Sequence, residues 1–381
     1  MSGNLPSDKT VAVGRQEALY LGMISGTSVD GIDVACVGFD PFVLYGFATF
    51  PYAAELRAQL IDLGQQQDQC SMDTFAQLDV RVGQAFADAA TLFMHQYKLN
   101  AQQITALGSH GQTLKHKPTG RHPYTLQIGD PNIIAERTGI TTVADFRRRD
   151  VASGGHGAPL VPAFHAHLWH DTNEARAVLN LGGIANLTLL PTHGAVRGFD
   201  TGPANCLMDA WINLNQGKVF DAGGRFAAAG KVENELLAQL LSDPWFALAA
   251  PKSTGRDQFH LHWLQTCLTG KNYSEQNIQA TLCMLSARTI ADALQRELPQ
   301  CARLMICGGG VHNTTLIQML ADLLPTIKME STATHGLDPD AAEACTFAWL
   351  AMRRLQNLPG NIAEVTGASG LRVLGGVYFG S

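Results

Sequence analysis

Short apolar runs separated by glycine-rich turns recur along the chain and predict strands alternating with helices. Leu19–Ile24 and Ile32–Phe39 flank a polar turn, a pattern that predicts a β-hairpin. Ala177–Leu181 and Ala185–Leu190 repeat this arrangement around two glycines. The repetition favours two related halves, each of which begins with a hairpin.

The remaining periodic segments predict an α/β protein. Helical spacing covers residues 54–98, and its breaks near Gly64 and Ser71 predict two helices there. Further strands are predicted at Ile104–Gly108, Thr125–Ile128, Thr141–Ala144 and Leu304–Cys307. Further helices are predicted at 132–138, 205–215, 231–241, 275–297, 313–324 and 340–355. Residues 147–162, rich in Gly, Arg and Pro, fit neither period and predict a functional loop.

Length and composition indicate a two-lobed globular protein. The chain has 381 residues, which is more than a single hydrophobic core normally serves. Its 46% hydrophobic and 16% charged residues are typical of a globular protein. We expect a loose leader over 1–18, a first lobe over 19–165 and a second over 166–381 whose tail returns to the first. The net charge of −6 argues against a nucleic-acid-binding face.

The cysteines and the apolar runs indicate a cytoplasmic protein. The eight cysteines form no CxxC pair and mostly lie in apolar surroundings, so we expect reduced, buried thiols. No secretory signal is apparent at the N-terminus, and no apolar run reaches the 18 residues that a transmembrane helix requires.

Glycine turns that follow short strands suit phosphate binding, because glycine lets backbone N–H groups face an anion. The chain has such turns at Gly26–Gly31, Gly182-Gly183 and Gly308–Gly310. Each alone is more readily an ordinary tight turn, but their order along the chain favours phosphate binding. No P-loop or Rossmann motif occurs; Gly270-Lys271-Asn272 lacks the first glycine and the hydroxyl.

Several polar side chains are candidates for chemistry, each with a structural alternative. Asp30 suits water-mediated Mg²⁺ binding, whereas Asp33 suits either that role or pinning of the hairpin. Asp200, on a predicted Gly/Pro-framed loop, suits a general base or a helix cap. The arginines of Arg147–Arg149 could bind an anionic ligand. Alternatively, they could belong to a solvated loop and pair with Asp145 and Asp150.

Two histidine clusters and one cysteine pattern favour structural roles. His165, His167 and His170 do not converge on one face of the predicted helix, and no HExxH motif occurs. His260 and His262 give no stronger metal signal. Cys283 and Met284 lie on the apolar face of a predicted helix and indicate core packing.

Ordered motifs covering residues 19 to the C-terminus resemble those of the anhydro-N-acetylmuramate kinase family. The first half carries MISGTSVDGID from Met23, GSHGQT from Gly108, ADFRRRDVA from Ala144 and GAPLVP from Gly157. The second half carries LNLGGIAN from Leu179, GFDTGP from Gly198, PKSTGR from Pro251, CGGG from Cys307 and FAWLA from Phe347.

The resemblance implies a two-lobed actin-like ATPase fold of the ribonuclease H-like type, with the active site between lobes. It implies ATP- and Mg²⁺-dependent conversion of 1,6-anhydro-N-acetylmuramic acid to N-acetylmuramate 6-phosphate in peptidoglycan recycling. It further implies a homodimer that acts on a small amino sugar without nucleic acid or membrane.

The resemblance also implies roles for individual residues. Asp200 would be the catalytic base, Arg149 and Glu343 would line the sugar site, and Asp30 would hold the metal. The implied ATP-binding residues are Gly26, Thr27, Ser28, Val29, Asp30, Gly31, Ile32, Asp33, Gly182, Gly183, Gly308, Gly309 and Gly310. The chain departs from the family pattern at His156, Ala204 and Ala342, where Gln, Gly and Met are usual.

Three other functions stay open at this point. A hexokinase-like enzyme would use the same fold on a sugar with a free 6-hydroxyl. A non-catalytic actin-like module would turn over nucleotide without sugar. A glycosidase could use Asp200 and Glu343 as its two carboxylates, but would leave the glycine turns without a role.

Overall fold

The strands and helices alternate along the chain and assemble into two units. A computed structural model describes residues 18–66 and 69–381. The leader predicted over 1–18 therefore lies, apart from Ala18, outside the described residues. Residues up to Leu160 together with Glu343–Ser381 form the first compact unit, and Val161–Ala342 form the second.

The bounds of the regular elements follow the predicted alternation. The strands are β1 Leu19–Ser25, β2 Ile32–Phe39, β3 Phe42–Phe50, β4 Ile104–Lys117, β5 Tyr124–Ile128, β6 Thr142–Ala144, β7 Arg176–Leu181, β8 Ile184–Leu190, β9 Arg197–Pro203, β10 Arg303–Cys307, β11 Lys328–Ser331 and β12 Gly376–Tyr378. The helices are α1 Ala54–Ile61, α2 Met72–Gln96, α3 Pro131–Thr138, α4 Arg148–Ala152, α5 Val161–Trp169, α6 Asn205–Gln216, α7 Arg225–Ala228, α8 Asn234–Leu241, α9 Leu261–Leu268, α10 Glu275–Glu297, α11 Thr314–Leu323, α12 Ala342–Leu355 and α13 Ala363–Thr366.

Both units are built on the same strand order. In the first, β1, β2 and β3 form an antiparallel meander, and β4 and then β6 add in parallel beside β1. In the second, β7, β8 and β9 form the meander, and β10 and β11 add in parallel beside β7. This 3-2-1-4-5 order, present twice, is the ribonuclease H-like topology of actin-like ATPases and confirms the predicted fold class. The first sheet also carries β5 beside β4 and β12 beside β6.

Helix α12 packs so closely on the first sheet that two strand positions must be glycine. A Cβ atom on Gly22 would lie 1.9 Å from the Ala344 carbonyl oxygen, and one on Gly108 would lie 2.0 Å from that of Phe347. These glycines therefore serve helix–sheet packing rather than a ligand. In the second unit α10 is buried along most of its length; Cys283 is in the core and Met284 packs against it, as predicted.

Three local predictions were wrong. The strand predicted to end at Gly108 continues as β4 to Lys117. Residues 147–162 are not one loop, since they contain α4 and the start of α5. Asp200 lies within strand β9, where a loop was predicted, because Gly198–Pro203 pairs with β8.

The cysteines are free thiols, and all but Cys70 and Cys267 are buried, as expected. Among the described residues, no helix combines the length and apolar character needed to cross a membrane.

Candidate active site

The turn between β1 and β2 is held by side chains from two neighbouring elements. Val29 adopts a positive φ of 55°, and its N–H donates to the Gly26 carbonyl at 3.1 Å. Gln112 Nε2, from β4, donates to the same carbonyl at 3.1 Å. Arg57 Nε, from α1, donates to the Val29 carbonyl at 2.9 Å. The predicted phosphate turn is therefore preorganised by side chains of the first unit.

The two aspartates of this turn have different environments. Asp30 is exposed, and its Oδ1 lies 3.2 Å from Arg57 Nη2. Asp33 lies in β2 and accepts a 2.6 Å hydrogen bond from Thr49 Oγ1 of β3. This contact matches the predicted pinning of the hairpin by Asp33. Within the described chain no group of three or more His, Cys, Asp or Glu could enclose a metal. One exposed carboxylate nevertheless fits Mg²⁺, which keeps most of its waters.

A buried hydrogen-bond chain joins β4 to the segment around α4. His110 Nδ1 lies 2.9 Å from the Gly111 carbonyl, and Arg147 Nε donates to His110 Nε2 at 2.9 Å. This pairing requires a neutral imidazole with its proton on Nδ1. Burial and the Arg147 charge hold the His110 pKa well below its usual value. Arg147 Nη1 also donates to the Gly157 carbonyl at 2.8 Å, so the guanidinium is fixed in orientation.

Glu343, at the start of α12, is electrostatically coupled to Arg147. The Glu343 side chain is exposed, but the surrounding protein removes much of its hydration, and this desolvation raises its pKa. The charge of Arg147 opposes the rise in pKa, and the charge of Asp33 adds to it. Burial lowers the Arg147 pKa to about 10, against the attraction of Glu343 and Asp150. Desolvation therefore favours the protonated form of the Glu343 carboxyl, whereas Arg147 favours the carboxylate.

The arginine triplet is divided between two environments. Arg147 faces His110, whereas Arg148 and Arg149 are exposed and line a cavity of about 660 Å³ together with Arg354. Arg148 pairs with Asp145 at 3.5 Å. Asp150 instead accepts from Gly157 N–H, Asn361 and Thr366, so the predicted pairing of the triplet with Asp150 was wrong.

In the second unit, Asp200 is a partly buried carboxylate with a fixed orientation. Its Oδ2 accepts from the Thr254 N–H at 2.9 Å, and its own N–H donates to the Lys252 carbonyl at 2.9 Å. Burial raises the Asp200 pKa to about 6, partly offset by the Thr254 N–H. The alternative of a helix cap is wrong, because Ala204 occupies the N-cap of α6 and no side chain caps it.

The Gly182-Gly183 turn caps helix α6 through its carbonyl groups. The Gly183 carbonyl accepts from the Ala204 and Cys206 N–H groups at 3.0 and 3.1 Å. The Gly182 carbonyl accepts from the Asn205 N–H at 3.1 Å and from Asn205 Nδ2 at 2.8 Å. The first amides of α6 are thus already satisfied by the turn.

Gly309, within the Gly308–Gly310 turn, lines a cavity of about 410 Å³. Gly308 has a φ of +81°, and a Cβ there would lie 2.3 Å from Asn180 Oδ1, whereas a Cβ on Gly309 would meet nothing within 4 Å. The other lining residues are Asn205, Met208, Asp209, Phe220, Asp221, Gly223, His312 and Asn313. Burial raises the Asp209 pKa to about 6; Arg256 opposes and Asp221 reinforces the shift. The volume falls within the range of small-molecule sites and fits a nucleoside-sized group.

The predicted site residues thus fall into three places. The first turn, Arg147 and Glu343 belong to the first unit, and Arg149 lies in the separate cavity there. Asp200 and the two other glycine turns belong to the second. Sequence reasoning missed His110 and Asp209; His110 stood inside a recognised motif, but Asp209 carried no sequence signal. Of the histidines predicted to be structural, His165 is buried against Thr188 Oγ1 at 3.0 Å, and burial lowers its pKa to about 3.

Comparison with known proteins assigns the chain to a family. Residues 18–380 match the family model for anhydro-N-acetylmuramic acid kinase. The chain belongs to this family. Proteins of that name from Xanthomonas campestris pv. campestris (strain 8004) and Xylella fastidiosa (strain Temecula1) are each 53% identical to it. The match covers 94% of this chain and 97% and 96% of theirs. The protein of that name from Coxiella burnetii (strain Dugway 5J108-111) is 46% identical, over 95% of this chain and 97% of its own.

Membership confirms the resemblance found in the motifs and the prediction that the chain is a kinase. Among solved structures, an activator of 2-hydroxyisocaproyl-CoA dehydratase from Clostridium difficile with bound ADPNP matches 89% of this chain and 96% of its own. The TM-score is 0.46 at 9% identity, a likeness that adds nothing to the family assignment.

Proposed function

We propose that this kinase uses ATP and water to convert 1,6-anhydro-N-acetylmuramic acid into N-acetylmuramate 6-phosphate and ADP. The observation that carries the proposal is the oriented Asp200 carboxyl, whose pKa burial raises to about 6. A general base works best when its pKa lies near the operating pH. Family membership supports the choice of substrate.

The first step is hydrolytic opening of the anhydro bridge. Asp200 takes a proton from water while the water oxygen forms a bond to C1 of the sugar. The C1–O6 bond breaks, and its electron pair stays on O6. The Thr254 N–H binds Oδ2 and holds the carboxylate in one orientation, which leaves Oδ1 to accept the proton of the water. A base of this kind contributes about 10²–10⁴-fold in rate.

The second step is phosphoryl transfer from ATP. O6 forms a bond to the γ-phosphorus, the bond from that phosphorus to the bridging oxygen breaks, and ADP leaves with the released electron pair. Backbone N–H groups of Gly26–Gly31 and of the turns at Gly182-Gly183 and Gly308–Gly310 bind the nucleotide. Mg²⁺, held through water by Asp30, would neutralise phosphate charge when bound. Positioning and charge neutralisation supply most of the remaining rate.

The groups of the first unit bind the sugar. Arg149 suits the lactyl carboxylate, because a guanidinium fork matches a planar carboxylate. Glu343 suits a sugar hydroxyl, and the charge of Arg147, which is oriented by His110, favours the carboxylate form of Glu343.

The cellular setting is part of the same proposal. Because the reaction requires ATP, we place it in the cytoplasm, in peptidoglycan recycling. The partner is a small amino sugar rather than nucleic acid or a membrane, and the protein acts as a homodimer.

The proposal is tested by assaying purified protein with ATP and the anhydro sugar in ¹⁸O-water and analysing the product by mass spectrometry. The product should gain one phosphate and one ¹⁸O at C1. Asp200→Asn should lower the rate by about 10²–10⁴-fold. The asparagine oxygen can still accept from the Thr254 N–H, so the fold should be retained.

Asp322→Asn is the matched control, since Asp322 is an exposed aspartate on α11 that accepts a hydrogen bond from Gln318 Nε2 at 2.8 Å; its rate should equal that of the unchanged protein. Phosphorylation of an unbridged sugar without ¹⁸O uptake would instead indicate a hexokinase-like enzyme. ATP hydrolysis that is independent of sugar would indicate a non-catalytic actin-like module. Either result would reject the proposal.

A further inference from the structure

Arg256 ends the PKSTGR motif and lies directly over the Gly182-Gly183 turn. A Cβ atom placed on Gly183 would be 3.2 Å from Arg256 Nη2 and 3.3 Å from its Nε. The guanidinium of Arg256 therefore lies close to the backbone of the turn, where Gly183 carries no side chain.

The Arg256 charge is available to a ligand. The side chain is exposed, and within residues 18–66 and 69–381 no carboxylate lies within 4.0 Å of its guanidinium nitrogens. The charge of Arg256 acts to lower the pKa values of Asp209 and Cys206, although Arg256 forms no ion pair with either. An exposed arginine that is held near a backbone turn but unpaired suits a phosphate, whose oxygens accept from a planar fork.

An anion bound at the Gly182-Gly183 turn cannot rely on the first amides of helix α6 for positive charge. The carbonyls of Gly182 and Gly183 accept from the first amides of α6, so that helix terminus is already occupied. Anion binding at a helix N-terminus requires those amides to be free. Arg256, which lies over the turn, is placed to supply positive charge there beside the N–H groups of the turn itself.

The segment that carries Arg256 also positions the proposed base. The Lys252 carbonyl and the Thr254 N–H both bond to Asp200, and Thr254 Oγ1 donates to Gln258 Oε1 at 2.8 Å. Lys252 Nζ is fixed by the Trp245 and Phe246 carbonyls at 3.1 and 3.0 Å. The segment is thus anchored at both ends, and Arg256 follows Thr254 by two residues.

We propose that Arg256 contacts the γ-phosphate of ATP and neutralises the charge that develops as this group passes to the acceptor. The inference rests on the proposed function for the identity of the acceptor, but not for the contact with nucleotide. During transfer the bond from the γ-phosphorus to the bridging oxygen breaks and the bond to O6 forms. The guanidinium keeps all its protons and serves only as a hydrogen-bond donor and a positive charge.

The test measures the affinity of the intact protein for two nucleotides by calorimetry: ADP, and AMPPNP as a stable triphosphate. Arg256→Gln should weaken AMPPNP binding by about 10–100-fold, the loss of a charge-assisted hydrogen-bond pair. ADP binding should change less than about twofold, because ADP lacks the γ-phosphate. Arg256→Lys should recover part of the loss, since it keeps the charge without the fork.

Turnover gives a second readout with the same variants. Arg256→Gln should lower kcat by about 10²–10³-fold, the typical effect of removing one donor to a developing oxyanion. The control is Arg288→Gln, an exposed arginine of α10 paired with Asp292 at 3.0 Å, which should leave both readouts unchanged.

The outcomes separate the two proposals. If the unchanged protein does not act on the anhydro sugar, the proposed function fails, yet the nucleotide binding still tests Arg256. Equal losses for ADP and AMPPNP would place Arg256 away from the γ-phosphate, and unchanged binding of both would remove its role altogether. Either binding result overturns the inference, whatever the acceptor is.

Discussion

At the scale of single residues, Asp200 illustrates how burial turns an ordinary carboxylate into a base. The side chain is partly buried in a strand, and one N–H, from Thr254, offsets part of the cost of its charge. The result is a pKa of about 6. A fully solvated aspartate, near 4, would be a much weaker base at neutral pH.

This pKa predicts how the rate depends on pH. The base must be deprotonated, and burial raises its pKa, so kcat/KM for the anhydro sugar should fall as pH decreases below about 6. The fall should approach tenfold per pH unit, and the rate should level off above pH 7. The measurement is kcat/KM between pH 5 and 8 at saturating ATP.

Asp209 provides the control for this profile, because burial also raises its pKa to about 6. Asp209→Asn should leave the acidic limb in place if Asp200 is responsible. A limb that disappears in Asp209→Asn, or one centred near pH 4, would contradict the assignment to Asp200.

At the scale of elements, the surroundings of a turn decide which of its positions require glycine. Gly308 and Gly309 are neighbours in one turn, but their surroundings are opposite. Gly308 has a positive φ and faces Asn180 Oδ1, whereas Gly309 is open towards the cavity.

This contrast predicts different effects on stability. Gly308→Ala should destabilise the protein by about 2–4 kcal/mol, because it combines a left-handed backbone with a steric clash. Gly309→Ala, the matched control, should change stability by less than about 0.5 kcal/mol. Denaturant unfolding followed by circular dichroism would measure both. Equal effects of the two changes would show that steric crowding at Gly308 is not what selects glycine.

Sequence pattern predicted helices α6 and α10 better than strand β9, for a local reason. Helices α6 and α10 carry their apolar period within themselves, and their predicted bounds lie within two residues of the observed ones. Strand β9, with the sequence RGFDTGP, has two glycines and a proline and resembles a loop. It is a strand because β8 supplies its hydrogen-bond partners, a non-local contact that no window of sequence contains.

At the scale of the whole molecule, the two units repeat one topology but present different chemistry. The cavity beside Gly309 is lined wholly by residues of the second unit, and the Arg147–His110 chain lies wholly in the first. The proposed function therefore assigns nucleotide binding mainly to the second unit and sugar binding mainly to the first.

This division predicts separate footprints in hydrogen exchange of the intact protein. AMPPNP alone should slow amide exchange in 205–223 and 309–313, which line the cavity. The anhydro sugar alone should slow exchange around 109–112 and 343–347. Residues 234–241 of helix α8 serve as an internal reference that neither ligand should change. Protection of the 205–223 segment by the sugar alone would contradict the division.

The boundary between sequence and structure follows the range of the interactions involved. The apolar periods, the glycine turns and the ordered motifs are local features, and they were enough to predict the α/β class, the paired hairpins and the family. The separation of Arg147 from Arg148 and Arg149, the burial of Asp200 and the contact of Arg256 with Gly183 depend on residues distant in sequence. Hydrogen bonds and desolvation act over a few ångströms in space, so these properties appear only once the chain has folded.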